Sequence, residues 1–306
     1  MTTNNLRIAF VGLGSMGMGM AKNLVAKGHT VIGVDMNPDA CVALHEAGGE
    51  VAASPKAAAV HADALVLVVV NAAQVEQVLF GPDGAIGTLP QGRVVMQCAT
   101  VPPGFSKALG ERLAAAGHPL LDAPMSGGRA RADTGELTIM SSGAAAAYDQ
   151  AQPILDAVAA KVYRLGDAPG VGSLVKTVNQ LLAGVHIAAA AEAMALGTKA
   201  GADPRALYEV ISNSAGNSWM FTNRVPHMLD GDFAPLSAVD IFVKDLGLVL
   251  DTGREAKQAL PLAAAAHQLF LMASAAGWGR IDDSAVVKIY EQMGGFSVAG
   301  RAGKGA

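Results

Sequence analysis

Gly12-Leu13-Gly14-Ser15-Met16-Gly17 is the stretch that decides the fold of this chain. It follows an apolar run at 6–12 that reads as a strand, and it opens a run at 16–27 with the apolar spacing of a helix. In that setting Gly12 permits a tight turn, Gly14 lets backbone approach a ligand, and Gly17 lets helix and strand pack closely. The peptide groups from Gly12 through Leu13, Gly14, Ser15, Met16 and Gly17 then offer N–H donors to an anion, as helix N-termini do. Asp35 ends the next apolar run, eighteen residues beyond Gly17. An acid there suits the hydroxyls of an adenosine ribose and repels a 2′-phosphate. Strand, glycine turn, helix and acid together predict a site for NAD rather than NADP. A chance glycine turn beside a surface aspartate would explain none of that order.

Outward from this stretch the first half keeps alternating. Short apolar runs at 30–35, 65–70, 93–97 and 119–123, with a possible sixth strand at 137–141, are separated by helical stretches such as 55–60. Near-continuous apolar strands between helices imply a mostly parallel sheet buried on both faces. After about residue 166 the strand signals stop. Residues 172–200 form one long apolar helical stretch without proline, closed by Asp203-Pro204, a strong start for the next helix. Further helices are expected at 204–213, 218–229, 237–256, 261–276 and 282–293. The predicted architecture is α/β: a Rossmann-like domain at 1–166, an all-α domain at 167–299 joined to it by the long helix, and a flexible tail at 300–306.

Composition narrows the function. The chain has 306 residues, 22 basic against 26 acidic, with 51% hydrophobic and 16% charged side chains. That is material for large cores, without the basic stripe that nucleic acid would require. Cys41 and Cys98 are too few for a disulfide framework or a cysteine-rich zinc site, and both are expected as buried thiols. Mean hydropathy is +0.34, yet the run at 64–70 is too short to span a bilayer and the long helix carries His186 and Glu192. The polar start at 1–5 does not resemble a secretory signal, so a cytoplasmic protein is expected.

The glycine stretch continued by Met20-Ala21-Lys22-Asn23-Leu24 resembles the β-hydroxyacid dehydrogenase family, which includes the 3-hydroxyisobutyrate dehydrogenases. Asp122-Ala123-Pro124-Met125-Ser126-Gly127-Gly128 is similar to that family's substrate-binding segment. Gly172-Ser173-Leu174-Val175-Lys176-Thr177-Val178-Asn179-Gln180 is similar to its catalytic segment, and Lys244-Asp245-Leu246 to a cofactor-contacting one. The resemblance runs from Arg7 to about Met293. Asn179-Gln180, where many relatives have two asparagines, together with 180–188 and 218–227, resembles the L-threonate dehydrogenase branch. The resemblance implies oxidation of a small hydroxy acid, L-threonate first. Tartronate semialdehyde reduction and 3-hydroxyisobutyrate oxidation are the nearest alternatives. An NAD-binding scaffold without catalysis is the rival from another class, and it would have no need of Lys176 or Asn179.

The residues of these segments also have a physical reading. Ser126, Gly127 and Gly128 follow a strand end, where a hydroxyl and backbone N–H groups suit a carboxylate, or where the chain merely turns. Lys176, Asn179 and Gln180 fall at i, i+3 and i+4 on one helix face. Lys176 either reaches out to water or takes the alcohol proton as general base, with Asn179 holding it or the reacting hydroxyl. Gln180 is assigned to substrate. Thr100 matches a family threonine beside the nicotinamide, or is a turn residue or helix cap. Asn71 either touches the cofactor or caps a helix, and Lys244 either approaches the cofactor or pairs with an acid. Asn213, Asn217 and Ser218 lie in a polar break between helices and read as helix caps, or as a segment that closes over the substrate. The remaining histidines are scattered, so no metal site is expected. Relatives associate through the helical domain, which implies a homodimer or homotetramer.

Overall fold

The computed structural model describes residues 5–299, so the expected tail at 300–306 lies outside the described residues. Within them the chain divides into two compact units after Thr177.

The first unit is built on a parallel sheet of order β3-β2-β1-β4-β5-β6. Its strands are β1 Arg7–Val11, β2 Thr30–Val34, β3 Glu50–Val51, β4 Ala64–Leu67, β5 Val94–Gln97 and β6 Leu120–Asp122. Alternation within the strands feeds two cores. Ile8, Phe10, Val66 and Met96 pack with Met20, Leu24 and Ile154 from α1 (Gly17–Ala26) and α7 (Ala145–Val158). Ala9, Val11, Leu65, Leu67 and Val95 pack on the other face with Val75, Leu79, Leu109 and Leu113. Those come from α4 (Ala72–Phe80) and α5 (Pro103–Ala115); α2 (Pro38–Glu46) and α3 (Pro55–Ala59) complete the crossovers. A sheet covered on both faces is what continuous apolar strands require.

Two expectations are corrected. The sixth strand of the parallel sheet is the short, exposed β3, whereas Leu137–Ser141 is β8 of a separate sheet, between β7 (Met125–Ser126) and β9 (Ala159–Arg164). β9 carries Lys161 and Arg164 and is mostly exposed, so it lacks the continuous apolar run that marked the other strands. Cys98 is buried as expected, but Cys41 is only half-buried, its thiol donating to the Asp35 carbonyl at 3.6 Å.

The second unit is helical. α8 (Val171–Lys199) begins in the first unit and continues into the second, where Ile187, Ala191 and Met194 join a core with Val225, Phe242, Leu246 and Phe270. α8 is long and apolar enough to cross a membrane by composition, yet these residues are core, not a lipid-facing surface. α9 (Pro204–Ser212) is capped by Asp203 and α10 (Trp219–Asp230) by Ser218, as the sequence suggested. α11 (Val239–Glu255) and α12 (Pro261–Ala273) follow, and then a wide turn at Ser274–Trp278 where a helix to 276 was expected. A tight turn at Asp283–Val286 leads into α13 (Val287–Gly294). Arg224 of α10 holds Asp283 through two hydrogen bonds, at 2.6 and 3.1 Å, with both side chains buried. Burial pushes the Asp283 carboxyl up to about 6 against the pull of Arg224.

Candidate active site

The glycine turn, Asp35, Asn71 and Thr100 all follow the carboxyl ends of strands of the parallel sheet. Parallel pairing puts Val11 beside Val34, so the turn after β1 and Asp35 after β2 emerge together. Gly12 has φ +101°, and a Cβ there would stand 2.3 Å from the Val68 carbonyl oxygen, so only glycine fits. A Cβ on Gly17 would meet the carbonyl of Gly12, whereas Gly14 has open space around it. Asp35 accepts the Leu13 N–H at 2.6 Å on one carboxylate oxygen and the Asn37 N–H at 2.8 Å on the other. The amide of Leu13 is thus spent on orienting the acid, a role that spacing alone did not reveal.

Beside this turn lies a cavity of about 400 Å³ lined by Leu13, Gly14, Ser15, Met18, Gly19, Lys22, Arg129 and Asp133. The helix start of α1 has neither a side-chain cap nor an acid in its first turn. Lys22 stands alongside, as does Arg129, which pairs with Asp133 at 3.6 Å, and the N–H groups of the turn and helix start fit a pyrophosphate. β1 lies between β2 and β4, and chain order reverses there, which is where open α/β sheets bind nucleotides. Thr100 follows β5 and Asn71 follows β4 on the same edge. The Asn71 side chain accepts the Gln74 N–H at 2.9 Å and so caps α4.

Ser126 ends β7, and Gly127 (φ +136°) and Gly128 (φ +67°) turn the chain into α6 (Gly128–Thr134). These positive angles account for the glycine pair. Sequence reasoning assigned nothing to Asp122, which proves fully buried at the end of β6. Its carboxylate accepts the N–H groups of Gly170 and Ser173, both at 2.9 Å, and the Ser173 hydroxyl at 2.7 Å. Lys176, one turn further along α8, is 8% exposed and so does not extend into bulk water. Burial, with the Asp122 charge adding to it, holds the Cys98 thiol well above the ordinary range and keeps it protonated.

In the second unit Asn179 donates to the Gln180 side-chain oxygen at 3.1 Å, and Gln180 donates to Asp245 at 2.5 Å. Lys244 pairs with the other oxygen of Asp245 at 2.5 Å. Asp245, 2% exposed, is a second carboxylate whose importance the sequence left unassigned. An acid buried on an otherwise apolar helix face is the signal that would have flagged it. Among the described residues there is no cluster of three or more metal-ligating side chains.

A glycine turn at the reversal point of a parallel sheet, followed by a helical unit, is the framework of a nicotinamide-dinucleotide oxidoreductase. Residues 7–166 match the model described as the NAD binding domain of 6-phosphogluconate dehydrogenase. Residues 170–290 match that described as NAD-binding of NADP-dependent 3-hydroxyisobutyrate dehydrogenase. The chain is 58% identical to the L-threonate dehydrogenase of Cupriavidus necator over 96% of this chain and 98% of that protein. It is 33% identical to the mitochondrial 3-hydroxyisobutyrate dehydrogenase of Rattus norvegicus over 91% of this chain and 85% of that one. A crystal structure described as 3-hydroxyisobutyrate dehydrogenase from Salmonella typhimurium superposes with TM-score 0.88 at 52% identity, covering 92% of this chain and 99% of its own. The chain belongs to the 3-hydroxyisobutyrate dehydrogenase-like family of hydroxyacid dehydrogenases. It is a nicotinamide-dependent oxidoreductase acting on small hydroxy acids.

Proposed function

We propose that the chain oxidises L-threonate to 2-oxo-tetronate with NAD, using Lys176 as general base. The observation that carries the chemistry is the burial of Lys176 on a helix tied to Asp122 at the end of β6, four residues before Ser126. A bound nicotinamide would supply the acceptor for the hydride on the carbinol carbon. Lys176 takes the hydroxyl proton as that hydride leaves, and returns it in the reverse direction. Ser126 and the N–H groups of Gly127 and Gly128 grip the carboxylate, and Asn179 and Gln180 orient the hydroxyls. Gly12, Gly14, Ser15, Met16 and Gly17 surround the pyrophosphate, with Leu13 acting through Asp35. Thr100, Asn71 and Lys244 are assigned to the nicotinamide side. Asp35, fixed by two backbone donors, faces the ribose and disfavours a 2′-phosphate.

The choice of L-threonate is supported by the 58% identity to an enzyme of that name. The name of the Salmonella structure supports 3-hydroxyisobutyrate as the second reading. NADH formation measured with L-threonate, D-threonate, D-glycerate and 3-hydroxyisobutyrate, each with NAD and NADP, decides between them. Turnover confined to L-threonate with NAD is expected, and turnover only with 3-hydroxyisobutyrate overturns the substrate. The same reading makes the protein a cytoplasmic homodimer or homotetramer. Exposed Leu174, Val175, Val178 and Leu182, at helical spacing on α8, support association with a second copy. Light scattering that finds only monomer at micromolar concentration would sink the oligomer.

A further inference from the structure

We propose that Asp122 is a positioning residue: it fixes the first turn of α8, and with it Lys176, to the strand end that leads into Ser126. This rests on the reading of Lys176 as the proton-transfer group. Asp122 belongs to the segment resembling the substrate grip, and Ser173 to the one resembling the catalytic helix. The carboxylate joins them with three hydrogen bonds, two from backbone N–H groups and one from a hydroxyl.

The join leaves little freedom. Ser142, whose hydroxyl stands 3.4 Å from the same carboxylate, accepts the Gly172 N–H at 3.0 Å. Asp122 and Ser142 also exchange both backbone hydrogen bonds, at 3.0 and 2.9 Å. A Cβ on Gly172 would lie 2.6 Å from the Met140 carbonyl oxygen and 2.9 Å from that of Asp122, so α8 begins flush against these strands. Lys176 follows Ser173 by three residues and therefore rises from the same helix face. Ser126 follows Asp122 by four residues and is held by β8 through the pairing of Ser126 with Thr138. One ion thus sets the register between the two segments.

A carboxylate is required for this. Its two oxygens meet donors on both sides, and its charge suits a helix N-terminus. An asparagine offers one acceptor and turns an N–H toward another donor. Geometric errors on the order of 1 Å at a reacting group cost about 100-fold in rate. A residue that merely stabilises the fold would instead lower the folded fraction and leave each folded site as fast as before.

The test is a cycle of Asp122→Asn and Lys176→Ala in the full-length protein, assayed with NAD and whichever acid of the panel above the wild type turns over. Asp122→Asn is expected to lower kcat about 100-fold while NADH affinity, read by fluorescence titration, stays within about twofold. The primary isotope effect with substrate deuterated at the carbinol carbon is expected to rise, because the transfer step becomes limiting. Added to Lys176→Ala, the same change is expected to leave the residual rate unaltered, since the group it positions is gone. Equal losses in both backgrounds, or an unchanged kcat and isotope effect with a lowered Tm, overturn the proposal. Should Asp122→Asn fail to fold, Ser173→Ala removes only the hydroxyl bond, with about tenfold loss of kcat and the same dependence on Lys176 expected. Full turnover by Lys176→Ala alone would remove the underlying reading of the lysine, and this proposal with it.

Discussion

Two helices begin at the carboxyl edge of the same sheet, and they treat their first N–H groups in opposite ways. α1 starts at the glycine turn with no side-chain cap, no acid in its first turn, and a cavity in front of it. α8 starts against Asp122, whose buried carboxylate accepts two backbone N–H groups and a hydroxyl. The orphan donors of a helix start are the same in both places. Left open, they serve a ligand's anion; answered by a fixed carboxylate, they hold a side chain still. The difference lies in where each carboxylate stands. Asp35 turns to the Leu13 and Asn37 amides beside the α1 turn, while Asp122 enters the α8 turn itself.

Four substitutions test the contrast between the two helix starts. The largest effect is expected from removing what the closed helix start positions: Lys176→Ala should lower turnover by about 1,000-fold, with NADH affinity nearly intact by fluorescence titration. Loss of NADH binding in that variant would mean the lysine belongs to the cofactor site. Next comes an acid placed in the open turn. Gly14 has room for a side chain, so Gly14→Asp should fold with a Tm close to wild type, while NADH affinity falls about 100-fold through repulsion of the pyrophosphate. Undiminished affinity would show that the turn holds no anion. Gly17→Ala tests the packing of the same turn. Its Cβ would press on the Gly12 carbonyl, and destabilisation of about 3 kcal/mol is expected in chemical denaturation. The smallest effect is that of Asp35→Ala, which should shift the ratio of kcat/KM for NAD over NADP toward NADP by about tenfold. An unchanged ratio would take the ribose away from Asp35.

Legibility along the sequence followed the range of the physics. Gly12, Gly14, Gly17 and Asp35 were readable because a turn, a helix start and a strand end are local events with fixed spacing. The helices at 204–213 and 218–229 were readable from Asp203-Pro204 and Ser218, which do cap them. β9 was not, because a mostly exposed edge strand carries no apolar run. Asn71 and Lys244 stayed open between two roles, since a side chain's partner, Gln74 or Asp245, is chosen in space. Asp122 and Asp245 were printed inside recognisable segments and still carried no assignment.

By itself the sequence determined the alternation of strand and helix, the dinucleotide turn, the change to helices beyond residue 166, and the resemblance that names the family. These follow from hydrophobic period, capping and glycine placement, all of which act within a few residues. Only the tertiary structure decided that the strand at 137–141 belongs to a second sheet, that Lys176 is buried, and that one carboxylate at the end of β6 holds the helix that carries it. Asp122 and Ser173 are fifty-one residues apart in the chain. No local preference links them: the contact forms because buried donors and a buried charge must find one another once the cores have closed around them.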